Sequence, residues 1–163
     1  MSLRAGQLAR PAIAGALAAC AVAALGGLVT ELGPWYYALR KPAWQPPDWL
    51  FGPAWTLIFG LAAIAGVLAW RGAASGRERR RVLLLFALNA LLNVAWSWLF
   101  FRQQRPDWAL YEVAALWLSI GALIVGLAPM SRTASALLVP YLAWVTFAAF
   151  LNYAIVARNA PFA

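Results

Sequence analysis

Five long intervals without a charged residue, at 11–30, 49–70, 82–101, 113–131 and 133–157, limit what this chain can fold into. An apolar run of about 20 residues is long enough to cross the hydrocarbon core of a bilayer as a helix. Inside lipid every backbone N–H and C=O must be satisfied within the protein, so a spanning segment is either a helix or part of a closed barrel. Strict two-residue alternation, the mark of a barrel strand, is absent, which leaves helices. Composition agrees: 64% of residues are hydrophobic and 11% charged, far from the balance of a water-soluble domain. The expected fold is an all-α integral membrane bundle of five transmembrane helices, at about 11–31, 49–71, 82–102, 108–129 and 133–157. It forms one domain over 1–163, with the termini on opposite sides of the membrane.

Between the first two spans, residues 33–48 hold Trp35, Tyr36, Tyr37 and Trp44 together with Pro34, Pro42, Pro46 and Pro47. Proline fixes its own φ and pushes the preceding residue toward extended conformations, so Lys41-Pro42 and Gln45-Pro46-Pro47 stop a helix from crossing the region. Solvent-facing linkers rarely carry so many large rings, whereas Trp and Tyr suit a membrane interface or a wall for stacking. The segment is expected to be an ordered, irregular lid over a binding site.

The first span follows Arg4 and Arg10 and contains Leu17-Ala18-Ala19-Cys20, which has the look of a lipoprotein cleavage box. Its apolar run continues to Thr30, and it is read as a retained span whose Gly15, Ala19, Ala23 and Gly27 form a smooth packing stripe. Cys20 is the single cysteine, so no internal disulfide forms. The chain has no histidine, which removes His-based zinc sites, His-dependent nucleophiles and imidazole ligation of haem iron.

The formal net charge of +8 comes from residues at the ends of spans. Arg71, Arg77, Arg79, Arg80 and Arg81 form the densest group, expected in the connection between the second and third spans. Together with Arg4, Arg10 and Arg132 they oppose Arg40, Lys41, Arg102, Arg105 and Arg158, eight against five, which points the amino terminus to the cytoplasmic face. The arginine group suits anionic lipid, and no nucleic-acid partner is expected.

In the third span Asn89, Asn93, Trp96 and Phe100 recur at helical spacing and share one face. Two amides one turn apart at membrane depth either bond across helices or line a polar pocket. Glu112 is the one acidic residue expected near the hydrocarbon, close enough to its span's start to reach the interface, so the carboxylate relay of proton-coupled pumps is missing. In the last span Tyr141, Trp144, Ala148 and Asn152 form an aromatic and polar face. Its gap at Ala148 suits a ligand or a neighbouring helix.

Several of these residues carry a family resemblance. Trp35 and Tyr36, Leu39 with Lys41-Pro42, Trp44 with Pro46-Pro47, Trp55, Leu92-Asn93 with Trp96 and Phe100-Phe101, and Pro140-Tyr141 with Trp144 through Leu151-Asn152-Tyr153 resemble the translocator protein family, TspO/MBR. The landmarks match in order from the first loop to the last span. The resemblance implies a five-helix bundle, a homodimer, and a pocket that takes porphyrins and synthetic isoquinoline or benzodiazepine-like molecules. It implies pocket roles for Tyr36, Trp55, Asn89, Asn93, Trp96, Trp144 and Ala148, lid roles for Trp44 and Pro47, and sterol or lipid contact at Leu151, Tyr153 and Arg158. Asn89 stands where the family often has Gln.

Tryptophans on several helices with one or two amides suit a flat apolar macrocycle, and without histidine a metal-free porphyrin is the natural guest, with Arg40 or Lys41 meeting its propionates. The leading expectation is a translocator or receptor-like protein for porphyrins, and also for sterols or other lipids, with no cofactor or metal. The alternative is a light- and oxygen-dependent porphyrin-degrading enzyme in which Trp55 and Trp144 react with the excited guest. The expected location is the bacterial cell membrane, with the outer membrane as the other choice.

Overall fold

A computed structural model describes residues 26, 27, 30 and 32–162, so the expected first span lies outside the described residues apart from Gly26, Gly27 and Thr30, as do Cys20 and the small-residue stripe apart from Gly27. The protein is all-α, and among the described residues there is no strand. A short helix, α1 (Pro34–Ala38), begins the lid, and a 3-10 turn at Asp48–Leu50 leads into α2 (Phe51–Gly72). Then come α3 (Gly76–Ser97), a π turn at Trp98–Arg102, α4 (Pro106–Leu127), α5 (Arg132–Leu137) and α6 (Val139–Asn159). Among the described residues four helical stretches are long and apolar enough to cross a membrane: Asp48–Gly72, Gly76–Arg102, Pro106–Leu127 and Arg132–Asn159. The chain is therefore a multi-pass integral membrane protein.

Local chemistry accounts for where these elements start and stop. Ser75 caps α3 by accepting from the Glu78 N–H at 3.2 Å, while the Glu78 carboxylate accepts from the Ala74 and Ser75 N–H groups at 2.6 and 3.2 Å. This reciprocal cap starts the helix at Gly76, so Arg77–Arg81 occupy its first turns and the connection shrinks to 73–75. The arginines were expected in the connection itself; the cap is what draws them into the helix.

The last span is likewise broken. Pro140 lacks an N–H and its ring crowds the preceding turn, so α5 ends at Leu137 and α6 restarts at Val139, with Leu138 between them at φ −91° and ψ −9°. In the lid, Pro34 has the fixed φ that suits a helix's first turn, so α1 forms where only irregular chain was expected. Lys41, Pro42 and Pro46 do stop it from continuing.

The interior is built where α4 packs against α3 and α6, and where α2 packs against α5. Ile120, Leu123, Leu127, Leu138, Tyr141 and Val145 are fully buried there. Gly72 allows the end of α2 to pass against the Met130 carbonyl, where a β-carbon would collide with backbone. Outward from the core, Leu57, Ile64, Leu83, Leu88, Leu91, Val125 and Phe150 are exposed, an apolar coat that a bilayer solvates and water does not. Trp49, Trp98, Trp108 and Tyr111 are exposed toward the lid end, the position of an interfacial aromatic belt.

Candidate functional site

The lid is held by a small polar cluster. The Tyr36 hydroxyl donates to Asp48 Oδ1 at 2.8 Å, and the Gln45 amide donates to the Tyr36 oxygen at 3.2 Å and to the same Asp48 oxygen at 3.3 Å. The Lys41 ammonium sits 3.5 Å from the centroid of the Tyr36 ring and 5.0 Å from that of Tyr37. Burial, reinforced by the hydrogen bond to Asp48, raises the Tyr36 hydroxyl above its ordinary range. Burial lowers Lys41, with the Asp48 carboxylate opposing it. A second tie joins the lid to the end of α6, where Asn159 accepts from the Arg40 N–H at 2.8 Å and donates to the Arg40 carbonyl at 3.0 Å.

Beneath the lid lies a cavity of about 380 Å³, within the roughly 300–1,000 Å³ of small-molecule sites. Its walls are aromatic. On α2, Trp55 stacks on Phe59 with centroids 5.2 Å apart and planes at 25°; at the end of α3, Trp96 stacks on Phe100 at 5.2 Å and 28°. From α6, Trp144 meets Trp55 edge to face at 6.4 Å.

The cavity brings together Tyr36, Trp55, Asn93, Trp96, Trp144 and Ala148, all expected as pocket residues, along with Leu151. The gap at Ala148 thus opens onto space rather than onto a neighbouring helix. Asn89 is placed differently. It is buried outside the cavity lining, donating to the Ser119 hydroxyl at 2.9 Å and accepting from the Tyr141 hydroxyl at 3.2 Å. Asn93 donates to the same Tyr141 oxygen at 3.0 Å, so the two amides bond across helices and one of them also edges the pocket.

Trp44 and Pro47 belong to the lid but do not line the cavity; Trp44 is half exposed, and its ring packs 5.9 Å from Phe147. Leu151, Tyr153 and Arg158 do not share a face: Leu151 is buried, Tyr153 is exposed, and the Arg158 guanidinium donates to the Ala154 carbonyl at 3.0 Å. Arg40 and Lys41 are likewise absent from the lining. Both carboxyl oxygens of Glu112 are buried and find no partner among the described residues.

Sequence reasoning missed Gln45, Asp48, Phe51, Thr56 and Phe101 as lining residues. Gln45 and Asp48 lie inside the segment already read as a lid, and Thr56 is adjacent to Trp55, so proximity was the available signal. Phe101 had none. The Gln103 N–H reaches the Trp98 carbonyl at 3.0 Å, a five-residue spacing, and this wide turn brings Phe100 and Phe101 onto one wall.

A profile of the TspO/MBR family matches residues 14–158. The chain belongs to the TspO/MBR family. It is 43% identical over 131 residues to a "Tryptophan-rich protein TspO" from Chlorobaculum tepidum, covering 77% of this chain and 80% of that one. It is 34% identical over 143 residues to a "Tryptophan-rich sensory protein" from Cereibacter sphaeroides, covering 88% of each. It is 34% identical over 126 residues to the human "Translocator protein", covering 77% of this chain and 75% of the relative. The TspO/MBR landmarks fall on the lid and cavity walls just described.

Proposed function

We propose that the protein binds metal-free porphyrins or similar flat tetrapyrroles in the cavity beneath the lid, acting as a translocator or receptor-like protein of the bacterial cell membrane. The observation that carries this reading is the convergence of Trp55, Trp96 and Trp144 from three different helices on one cavity. Indole faces stack well on planar conjugated guests, and a few amides at the rim suffice to orient them. The chain has no histidine to ligate haem iron axially. The homodimer belongs to the same proposal, with the exposed leucines of α3 as the surface for a second copy. A sterol or other lipid would meet Tyr153 from the acyl side of α6 rather than inside the cavity.

Titration of the protein in nanodiscs with protoporphyrin, haem and a sterol, read by tryptophan fluorescence in the dark, tests this. Saturable quenching by protoporphyrin is expected, weakened by Trp55→Ala and by Trp144→Ala. Quenching that stays linear in porphyrin concentration, or is unchanged in both variants, overturns the reading.

The edge-to-face contact of Trp55 and Trp144 favours a second reading, in which an illuminated porphyrin and dioxygen react at these indoles and the macrocycle is oxidatively degraded. Loss of protoporphyrin absorbance under light should then slow in a Trp55→Phe, Trp144→Phe double variant and stop without oxygen. Unchanged loss in that variant removes the enzyme reading and leaves binding intact.

A further inference from the structure

Resting on the reading that the cavity takes a flat guest, we infer that its lid end recognises a hydrogen-bond donor on that guest, and a protonated amine above all. Among the described lining residues, Asp48 is the one whose side chain carries a formal charge at neutral pH. The cations of the lid are turned elsewhere. Lys41 covers the rings of Tyr36 and Tyr37, and neither it nor Arg40 lines the cavity, so the propionate contact expected from the sequence has no donor in place.

The hydrogen bonds of the cluster all run toward one atom. Tyr36 and Gln45 both donate to Asp48 Oδ1, and no donor among the described residues reaches Oδ2. Because the Gln45 NH2 group must face that carboxylate, its Oε1 points away from it, buried and without a donor. Two acceptors therefore stand at this end with hydrogen-bonding capacity unused, beside aromatic faces that attract cations. An ammonium or N–H group of the guest completes the Asp48 carboxylate; a carboxylate placed there meets Asp48 as a like charge. A dianionic guest is thereby forced to direct its acidic groups away from the lid.

Three derivatives of one tetrapyrrole macrocycle test this: the free diacid, its dimethyl ester, and a bis-amide ending in primary amines. Each is titrated in the dark into the protein in phosphatidylcholine nanodiscs at about 0.15 M salt, where long-range charge effects are screened. The amine derivative is expected to bind roughly tenfold more tightly than the ester, the size of a charge-assisted hydrogen bond's advantage, with the diacid weakest. Asp48→Asn keeps an acceptor for Tyr36 and should close the gap between amine and ester. Gln45→Leu removes one donor from the Asp48 carboxylate while leaving the Tyr36–Asp48 bond, should widen that gap, and carries the test where Asp48→Asn fails to fold. A diacid that binds best to the wild type, or a ranking unmoved by both variants, overturns the inference while leaving the cavity reading standing. Absence of binding by all three derivatives removes the cavity reading, and this inference with it.

Discussion

At the scale of single residues, the interior polar groups divide into those with partners and those without. Tyr141 is the shared partner: its hydroxyl donates to Asn89 and accepts from Asn93. Interhelical hydrogen bonds in membranes contribute about 0.6 kcal/mol each on average, and an amide left unpaired in the interior costs about 1–3 kcal/mol. Tyr141→Phe should therefore lower the melting temperature in detergent by several degrees, at roughly 2–4 °C per kcal/mol for a chain of this size. Glu112 is the opposite case. With no partner for either oxygen among the described residues, it gives the fold nothing that its shape alone would not. Glu112→Gln should leave the melting temperature unchanged or raise it; a fall of more than about 4 °C, near 1 kcal/mol, would reveal a partner the carboxyl needs. Both asparagines were recognisable in the sequence as needing partners, but which partner each took was not, because the answer depends on Ser119 and Tyr141, 30 and 52 residues away from Asn89.

At the scale of elements, the lid depends on α6 as much as on its own prolines. Asn159 holds both backbone groups of Arg40 and also donates to the Ile155 carbonyl at 2.8 Å. Asn159→Ala removes the two bonds to the lid while leaving the membrane-crossing part of α6 unaltered. Hydrogen exchange at residues 40–47 should rise several-fold in that variant, and dissociation of a bound porphyrin should quicken, whereas exchange in α3 and α4 should not change. Lid chemistry also sets a pH limit. Tyr36 titrates above its ordinary range, so its contribution to lid stability is intact below the usual tyrosine pKa, near 10, and is lost only as pH climbs through the raised value. Prolines announced the lid in the sequence; the clasp from Asn159, 119 residues away, carried no local signal.

At the scale of the whole molecule, arginines sort the two ends of the bundle. Arg71, Arg77, Arg79, Arg80 and Arg81 gather at the turn between α2 and α3, with Arg132 at the start of α5, while Arg102, Arg105 and Arg158 lie at the lid end. The α2–α3 turn is expected to face the cytoplasm. In a Cys20→Ser background, Ala74→Cys should react with an impermeant maleimide in inside-out vesicles and resist it in intact cells; the reverse pattern inverts the topology. The four described spans were legible as uncharged intervals because lipid leaves the backbone no alternative to the helix. Local chemistry overrode hydropathy at two places: the cap at Ser75 moved the start of the third span from 82 to Gly76, and Pro140 broke the last span within its length.

The π turn at Trp98–Arg102 is a wider last turn that closes the span begun at Gly76. Removing a residue there would keep the span long enough for its bilayer, yet it would shift Phe100 and Phe101 by one position, about 100° around the axis, against the preceding turns. Natural variation in length at this point would thus remodel the guest's surroundings in a single genetic event, while the rest of the helix and its packing partners stayed as they are.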